Sequence, residues 1–274
     1  MKLSLFTFPE HTDTSPYAAL CDLCLSLGIK GLEGWETAYL DSVEKAKELR
    51  RILDGHGMVC PCFSQCSDLL SEHWQKDVEN LKLLSEMAAV LGAPYLHHTL
   101  VPDLSPRSYT EEEFEAALQT LLPRAMAVRE AARAQGIDVI YEEQGFLVNG
   151  AKRFARFLEA LAPEEAHVCA DLGNNYFMDE PPELYLSAVL PRVRHVHLKD
   201  YLVSDARILP GSLPSLSGKY LTHVVCGEGF IDYPKCFSML QKSGYDGWYS
   251  LELGADPENI RKNAESIRRL AETV

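Results

Sequence analysis

Four short apolar runs in the second half of the chain end in residues that can bind a cation or carry a proton. They read Ile140-Tyr141-Glu142-Glu143, Cys169-Ala170-Asp171-Leu172, His195-Val196-His197-Leu198-Lys199-Asp200 and Ser250-Leu251-Glu252-Leu253. Glu142, Asp171 and His197 follow one another at intervals of 29 and 26 residues, about one strand-plus-helix unit each. Glu252 comes after a longer interval of 55 residues. If these runs are neighbouring parallel strands, their C-terminal ends meet at one point. Three carboxylates gathered there repel one another, and burying them is costly without a countercharge. A divalent cation supplies it. Three carboxylates and one imidazole suit a fairly hard ion, Mn²⁺ first, with Mg²⁺, Co²⁺ or Zn²⁺ as alternatives. The expected ligands of this single ion are Glu142, Asp171, His197 and Glu252.

The elements that would position these residues are legible in the pattern. Trp74, Val78, Leu81, Leu84, Ala88 and Leu91 recur at three or four residues, as do Phe114, Leu118, Leu121, Ala125 and Val128. Each set makes one apolar helical stripe. Pro123 predicts a kink in the second helix or the start of another. Helical segments end repeatedly in glycine before a short apolar run, as at Gly57-Met58 and Gly92-Ala93. Eight strands are expected: 3–8, 31–35, 58–63, 95–100, 138–143, 167–171, 194–199 and 248–253. Strict alternation of strand and helix implies a parallel sheet with right-handed crossovers. Eight such units in 274 residues favour a single (β/α)₈ TIM barrel, an α/β fold, over a doubly wound sheet. No Gly-x-Gly-x-x-Gly follows the first strand, which argues against a dinucleotide fold. No linker divides the chain, so residues 1–274 read as one domain. The stretch from about 200 to 233, rich in Pro, Gly and Ser, reads as a long loop after strand seven, a lid or binding loop.

Composition narrows the partners. With 26 basic and 40 acidic residues the net charge is −14, and no basic patch of any length is present. Nucleic acid and anionic membrane are therefore not expected partners. A small sugar or keto acid is compatible with this charge, since one or two local cations suffice for it, and a homo-oligomer stays open. The eight cysteines sit within apolar runs, where free thiols behave as small hydrophobes. Cys21-x-x-Cys24 reads as helix core rather than a redox pair. The opening Met1-Lys2-Leu3-Ser4-Leu5-Phe6 lacks the pattern of a secretory leader, and no run reaches the length of a membrane span. A cytoplasmic location is expected.

The four strand ends, with Cys226-Gly227-Glu228-Gly229-Phe230-Ile231-Asp232-Tyr233 and Gly244-Tyr245-Asp246-Gly247-Trp248-Tyr249-Ser250-Leu251-Glu252, resemble the sugar phosphate isomerase/epimerase family of xylose-isomerase-like barrels. The resemblance spans essentially the whole chain. It implies the same four ligands and makes Glu142 and Glu252 the catalytic acid/base pair. It further implies a metal-dependent isomerase or epimerase of a ketose or related keto-sugar, working through a metal-bound cis-enediolate. A dehydratase of the inosose or dehydroshikimate type is the alternative on this scaffold. A phosphodiesterase of the endonuclease branch and a non-catalytic sugar-binding barrel rank below it.

The chain departs from the family pattern in three places. Glu143 stands where Asn is usual, Asn174 where His is usual, and Leu221 where the endonuclease branch has Asp two residues before His223. Asn174 and Leu221 point to one metal rather than a cluster. His98, Asn174, Lys199 and Arg207 are the expected substrate contacts, with Glu33, Glu36 and Trp35 as further candidates at the end of strand two. His98 is chosen over His97 because adjacent strand residues face opposite ways and the family alignment favours it. His195 is expected to be a core histidine one pleat below His197.

Overall fold

The computed structural model describes residues 1–7, 15–35, 40–163 and 165–274. The expected strand end at Phe8 and the candidate Glu36 lie outside the described residues. The barrel strands are β1 (Lys2–Phe6), β2 (Gly31–Leu32), β3 (Gly34–Trp35), β4 (Phe63–Gln65), β5 (Tyr95–His98), β6 (Asp138–Tyr141), β7 (His167–Asp171) and β8 (Val193–Leu198). Beyond β8 come β9 (Asp200–Ser204), β10 (Leu213–Pro214), β11 (Tyr220–Val224) and the last barrel strand, β12 (Trp248–Glu252). The parallel sheet runs β2-β1-β12-β8-β7-β6-β5-β4-β3. Because β2 and β3 are two halves of one strand interrupted at Glu33, the sheet returns on itself, and the chain forms the expected eight-stranded TIM barrel.

Two strands differ from expectation. The second breaks at Glu33, whose side chain turns into the barrel and is described below. The third was expected over 58–63, but continuous pairing begins only at Phe63, after an isolated bridge between Gly31 and Val59. Pro61 has no amide hydrogen for a ladder in that stretch.

Among the described residues eight α-helices surround the strands: α1 (Ser15–Ser26), α2 (Val43–His56), α3 (Trp74–Leu91), α4 (Glu111–Ala134), α5 (Ala151–Leu161), α6 (Pro182–Val189), α7 (Tyr233–Lys242) and α8 (Pro257–Ala271). The expected stripes of α3 and α4 are buried, apart from partly buried Trp74. They join the large apolar core between helices and strands. Helix α4 runs unbroken through Pro123, so that residue does not start a second helix. Gly57 and Gly92 close α2 and α3 with φ of 65° and 71°, the left-handed conformation that a side chain disfavours. All eight cysteines are free and seven are buried, Cys21 and Cys24 among them. Among the described residues no helix is long and apolar enough to cross a membrane.

The connection expected as an open loop after strand seven is largely an antiparallel sheet, ordered β10-β11-β9. Alternation hidden by Ser and Pro pairs Tyr201 with His223 and Val203 with Leu221. Phe146, Phe177, Tyr201 and Leu221 form a small buried cluster beneath this ribbon. The Asp200 carboxylate ties its two ends together. It accepts the amides of Gly227 (2.8 Å), Gly229 (3.1 Å) and Ile231 (3.3 Å), besides that of Tyr201. A Cβ on Gly229 would fall 2.2 Å from Asp200 Oδ1, so the glycine is required for this close approach. The motifs ending at Asp200 and running through Gly229 are thus two halves of one turn.

Replacing Asp200 with Ala takes the acceptor from four amides, those of Tyr201 and Ile231 buried and those of Gly227 and Gly229 partly so. It should cost about 2–4 kcal/mol and lower the melting temperature by several degrees. Asp200→Asn should lose less. Equal melting of Asp200→Ala and the parent would contradict this role.

Candidate metal and active site

Strands β6, β7, β8 and β12 deliver Glu142, Asp171, His197 and Glu252 to one mouth of the barrel. One ligand atom from each lies within 4.8 Å of the others. Parallel pairing sets this convergence. Asp171 is directly across from His197, and Ser250, one pleat before Glu252, is across from His197 on the other side. Glu142, Asp171 and His197 are buried, and Glu252 is one-fifth exposed.

Each ligand is aimed by something else. Asp171 Oδ1 accepts the amides of Gly173 (2.7 Å) and Asn174 (2.8 Å), where the chain turns at the end of β7. That leaves Oδ2 facing the site, 2.9 Å from Lys199 Nζ. Lys199 also donates to Glu252 Oε2 at 3.0 Å. Despite its burial, Lys199 is held firmly protonated by Asp171 and Glu252. Burial, with Glu252 and Glu142 nearby, pushes the Asp171 carboxyl up to about 7 against the pull of Lys199. Burial acts on Glu142 the same way, but His97 and His197 outweigh it and hold that carboxyl below its usual range.

His197 is gripped at both ring nitrogens. Nδ1 lies 2.8 Å from Glu142 Oε1 and 3.4 Å from Glu252 Oε2, while Nε2 lies 3.0 and 3.2 Å from the two oxygens of Glu33. Nδ1 is therefore the nitrogen turned to the ligand cluster. Glu33 fixes the ring from behind, the arrangement a metal-binding histidine needs. Glu33 also reaches His195 Nε2 at 2.9 Å and accepts the Ser64 hydroxyl. Ser64 in turn lies 2.9 Å from His97 Nδ1, and His97 Nε2 lies 3.7 Å from Glu142 Oε2. The network thus returns to Glu142 and forms a polar layer in the barrel interior above a small apolar layer of Cys62, Ile140 and Cys169. His195 is a buried interior residue, as expected, and one that shares Glu33 with His197.

The quartet fits a divalent ion. Its three carboxylates and Lys199 together carry two formal negative charges, which such an ion cancels. The donors are hard oxygens and one imidazole.

The sequence expectation for the fourth and fifth strands needs one correction. It is His97, not His98, that reaches the quartet. His98 turns the other way, with its ring 5.2 Å from Tyr141, which itself packs on Phe157 of α5. Its Nδ1 lies near Thr99 O (2.8 Å), and burial depresses its pKa to about 4. The pleat decides: His97 shares its face with Ser64 and Glu142. Arg207 is also not brought to the quartet. It is exposed on the ribbon, with its guanidinium 5.4 Å from the Tyr220 ring. Asn174 is buried beside Asp171, and neither atom of its side-chain amide is paired among the described residues. Glu143 faces away and accepts the Tyr185 hydroxyl. Burial and the charges of Asp171 and Glu142 push it well above the carboxylate range, so it stays neutral, as the usual Asn would.

A cavity of about 620 Å³ opens beside the quartet. It is lined by Lys199, His223, Glu228, Glu252 and Asn259, with the main chain and apolar atoms of 224–225 and 253–254. His223 stands on β11 with its ring 4.4 Å from Tyr201. The roles of Glu33 and His97 were hidden in sequence because neither ends a strand with a metal-like spacing.

A family model described as a xylose isomerase-like TIM barrel matches residues 21–271. Inosose dehydratase from Geobacillus thermodenitrificans (strain NG80-2) is 28% identical over 152 residues, 54% of this chain and 50% of that protein. The chain thus spans about half the length of the curated relatives it matches. Among solved structures, the probable 3-DHS dehydratase AsbF from Bacillus anthracis superposes with a TM-score of 0.77 at 18% identity, covering 98% of this chain and 99% of that one. D-Psicose 3-epimerase from Clostridium cellulolyticum H10 gives 0.72 at 15% identity, covering 100% and 99%. At these identities the two structures speak for the fold.

If Glu33 aims His197, Glu33→Gln should weaken Mn²⁺ binding about 10–100-fold by isothermal titration calorimetry. The circular dichroism spectrum should be unchanged. Undiminished affinity would show that His197 needs no such partner.

Proposed function

The chain belongs to the xylose isomerase-like TIM barrel family, and from that premise we propose that it is a divalent-metal enzyme that removes the proton α to the carbonyl of a keto-polyol. The observation that carries the reading is the convergence of Glu142, Asp171, His197 and Glu252, the last of which lines an adjoining cavity together with Lys199. The cavity is of a size for a small polyhydroxy molecule, and Lys199, Glu228, Glu252 and Asn259 give it polar groups to meet one. A divalent ion in the quartet, with Mn²⁺ the best match to its donors, supplies Lewis acidity toward a carbonyl and its neighbouring hydroxyl.

The protein's own groups do the rest. Glu142, kept ionised by His97 and His197, is the base that takes the α-proton. Lys199 sets an ammonium against Glu252 on the cavity side, where it can donate to an enediolate oxygen or a departing hydroxyl. The unpaired amide of Asn174 offers a donor and an acceptor to substrate hydroxyls. Arg207 takes no part in this scheme.

Two outcomes follow from one enediolate. In elimination the β-hydroxyl leaves, and the proton taken by Glu142 ends in the released water. In epimerisation or isomerisation Glu252 returns a proton to the opposite face or to the neighbouring carbon. The sequence-based expectation put the second outcome first. The relatives named as dehydratases, and the fixed donor Lys199 beside Glu252, favour elimination, which makes a lyase the first reading. Epimerisation remains the second, supported by the acid/base pairing of Glu142 and Glu252.

Incubation of the Mn²⁺-loaded protein with a panel of inososes and ketoses in D₂O tests both. A substrate should exchange its α-proton, and its product mass separates loss of water from rearrangement. Glu142→Gln should lower the exchange rate at least ~100-fold. Wild-type exchange in that variant would remove Glu142 from the role of base.

A further inference from the structure

Directly below the quartet, the barrel interior gathers a second set of donors of different chemistry. His97, Cys169 and His197 each offer a ligand atom within 4.8 Å of the others, and all three are buried. Cys169 lies on β7 two residues before Asp171, so it points to the same face one pleat deeper. His97 Nε2 is buried and makes no hydrogen bond among the described residues, its approach to Glu142 Oε2 being a long 3.7 Å. A buried ring nitrogen held only by so long a contact has room for a ligand between it and the carboxylate. Glu142 supplies a fourth donor, with Oε2 at 3.7 Å from His97 Nε2 and Oε1 at 2.8 Å from His197 Nδ1.

We propose that His97, Cys169, His197 and Glu142 form a thiophilic metal site that takes Zn²⁺ or Cd²⁺ in place of the ion held by the quartet. One thiolate, one carboxylate and two imidazoles neutralise a divalent ion and are a soft, tetrahedral donor set, whereas the quartet is hard and rich in oxygen. Tetrahedral ligands around zinc stand roughly 3.3–3.7 Å apart, so the ligand atoms of His97, Cys169 and His197, now within 4.8 Å of one another, close by at most about 1.5 Å on binding. His197 and Glu142 belong to both sets, so the two ions exclude each other. The site is thus an inhibitory one, selecting against soft metals by drawing them one layer too deep to meet substrate. On binding, the Cys169 S–H proton is lost to solvent and the sulfur bonds to the metal, with no change of oxidation state.

The test is titration of the metal-free full chain with Cd²⁺, read as thiolate-to-metal charge-transfer absorption in the ultraviolet. The band should saturate at one Cd²⁺ per chain, vanish in Cys169→Ser and in Cys169→Ala, and persist in Cys66→Ser, which removes the exposed thiol. Both Cys169 variants should still bind Mn²⁺ as the parent does, which also reports their folding. A band that survives loss of Cys169, a band lost in Cys66→Ser, or Cd²⁺ binding without a band would overturn the site. Loss of Mn²⁺ binding in both Cys169 variants would overturn its separateness from the quartet. The inference rests on the quartet reading only for the mutual exclusion. If the quartet holds no Mn²⁺, the Cd²⁺ band stands while competition between the two ions disappears.

Discussion

The structure turns on the imidazole of His197, held between a carboxylate on each ring nitrogen. Glu142 lies on one side and Glu33 on the other. Nδ1 consequently faces a cluster of three carboxylates that burial would otherwise make prohibitive. Lys199 offsets part of that charge between Asp171 and Glu252, and what remains matches one divalent ion. The polar interior of the barrel exists to keep this one ring in place, with Glu33 joined to Ser64, and Ser64 to His97, which returns to Glu142.

The fold serves the same end. Parallel pairing of β6, β7, β8 and β12 brings the ligand-bearing ends together, and the helical stripes bury against the outside of those strands. The break in the second strand at Glu33 places a carboxylate inside the barrel, where an uninterrupted strand would put a small apolar side chain. The ribbon from β9 to β11 is anchored to the last barrel strands through the amides caged by Asp200, and it carries His223 to the cavity wall.

Much of this was legible in the sequence, and the reasons are particular. Glu142, Asp171, His197 and Glu252 could be found because each ends an apolar run and the first three recur at the length of one repeat. The barrel followed from the strict alternation of stripes and short runs. His97 and His98 could not be separated, because adjacent histidines leave the pleat phase open and only the contacts with Ser64 and Tyr141 fix it. Glu33 was visible as a candidate but not as the residue that holds His197, since its two histidine partners lie more than 160 residues away in the chain. The ribbon was missed because Ser and Pro in 204–219 mask the alternation of the flanking strands. Lys199 was recognised as a charged group of the site, but its pairing with Asp171 and Glu252 depends on side-chain direction, which spacing does not give.

The central claim is that one cation, held by four named side chains, completes this charge arrangement. Anomalous diffraction from a crystal equilibrated with Mn²⁺ at the manganese edge tests it most directly. The account predicts a single peak per chain at coordination distance from Glu142, Asp171, His197 Nδ1 and Glu252, with His197 Nε2 still on Glu33. A crystal with no peak there, or with manganese bound elsewhere and Lys199 still bridging an empty quartet, would contradict it.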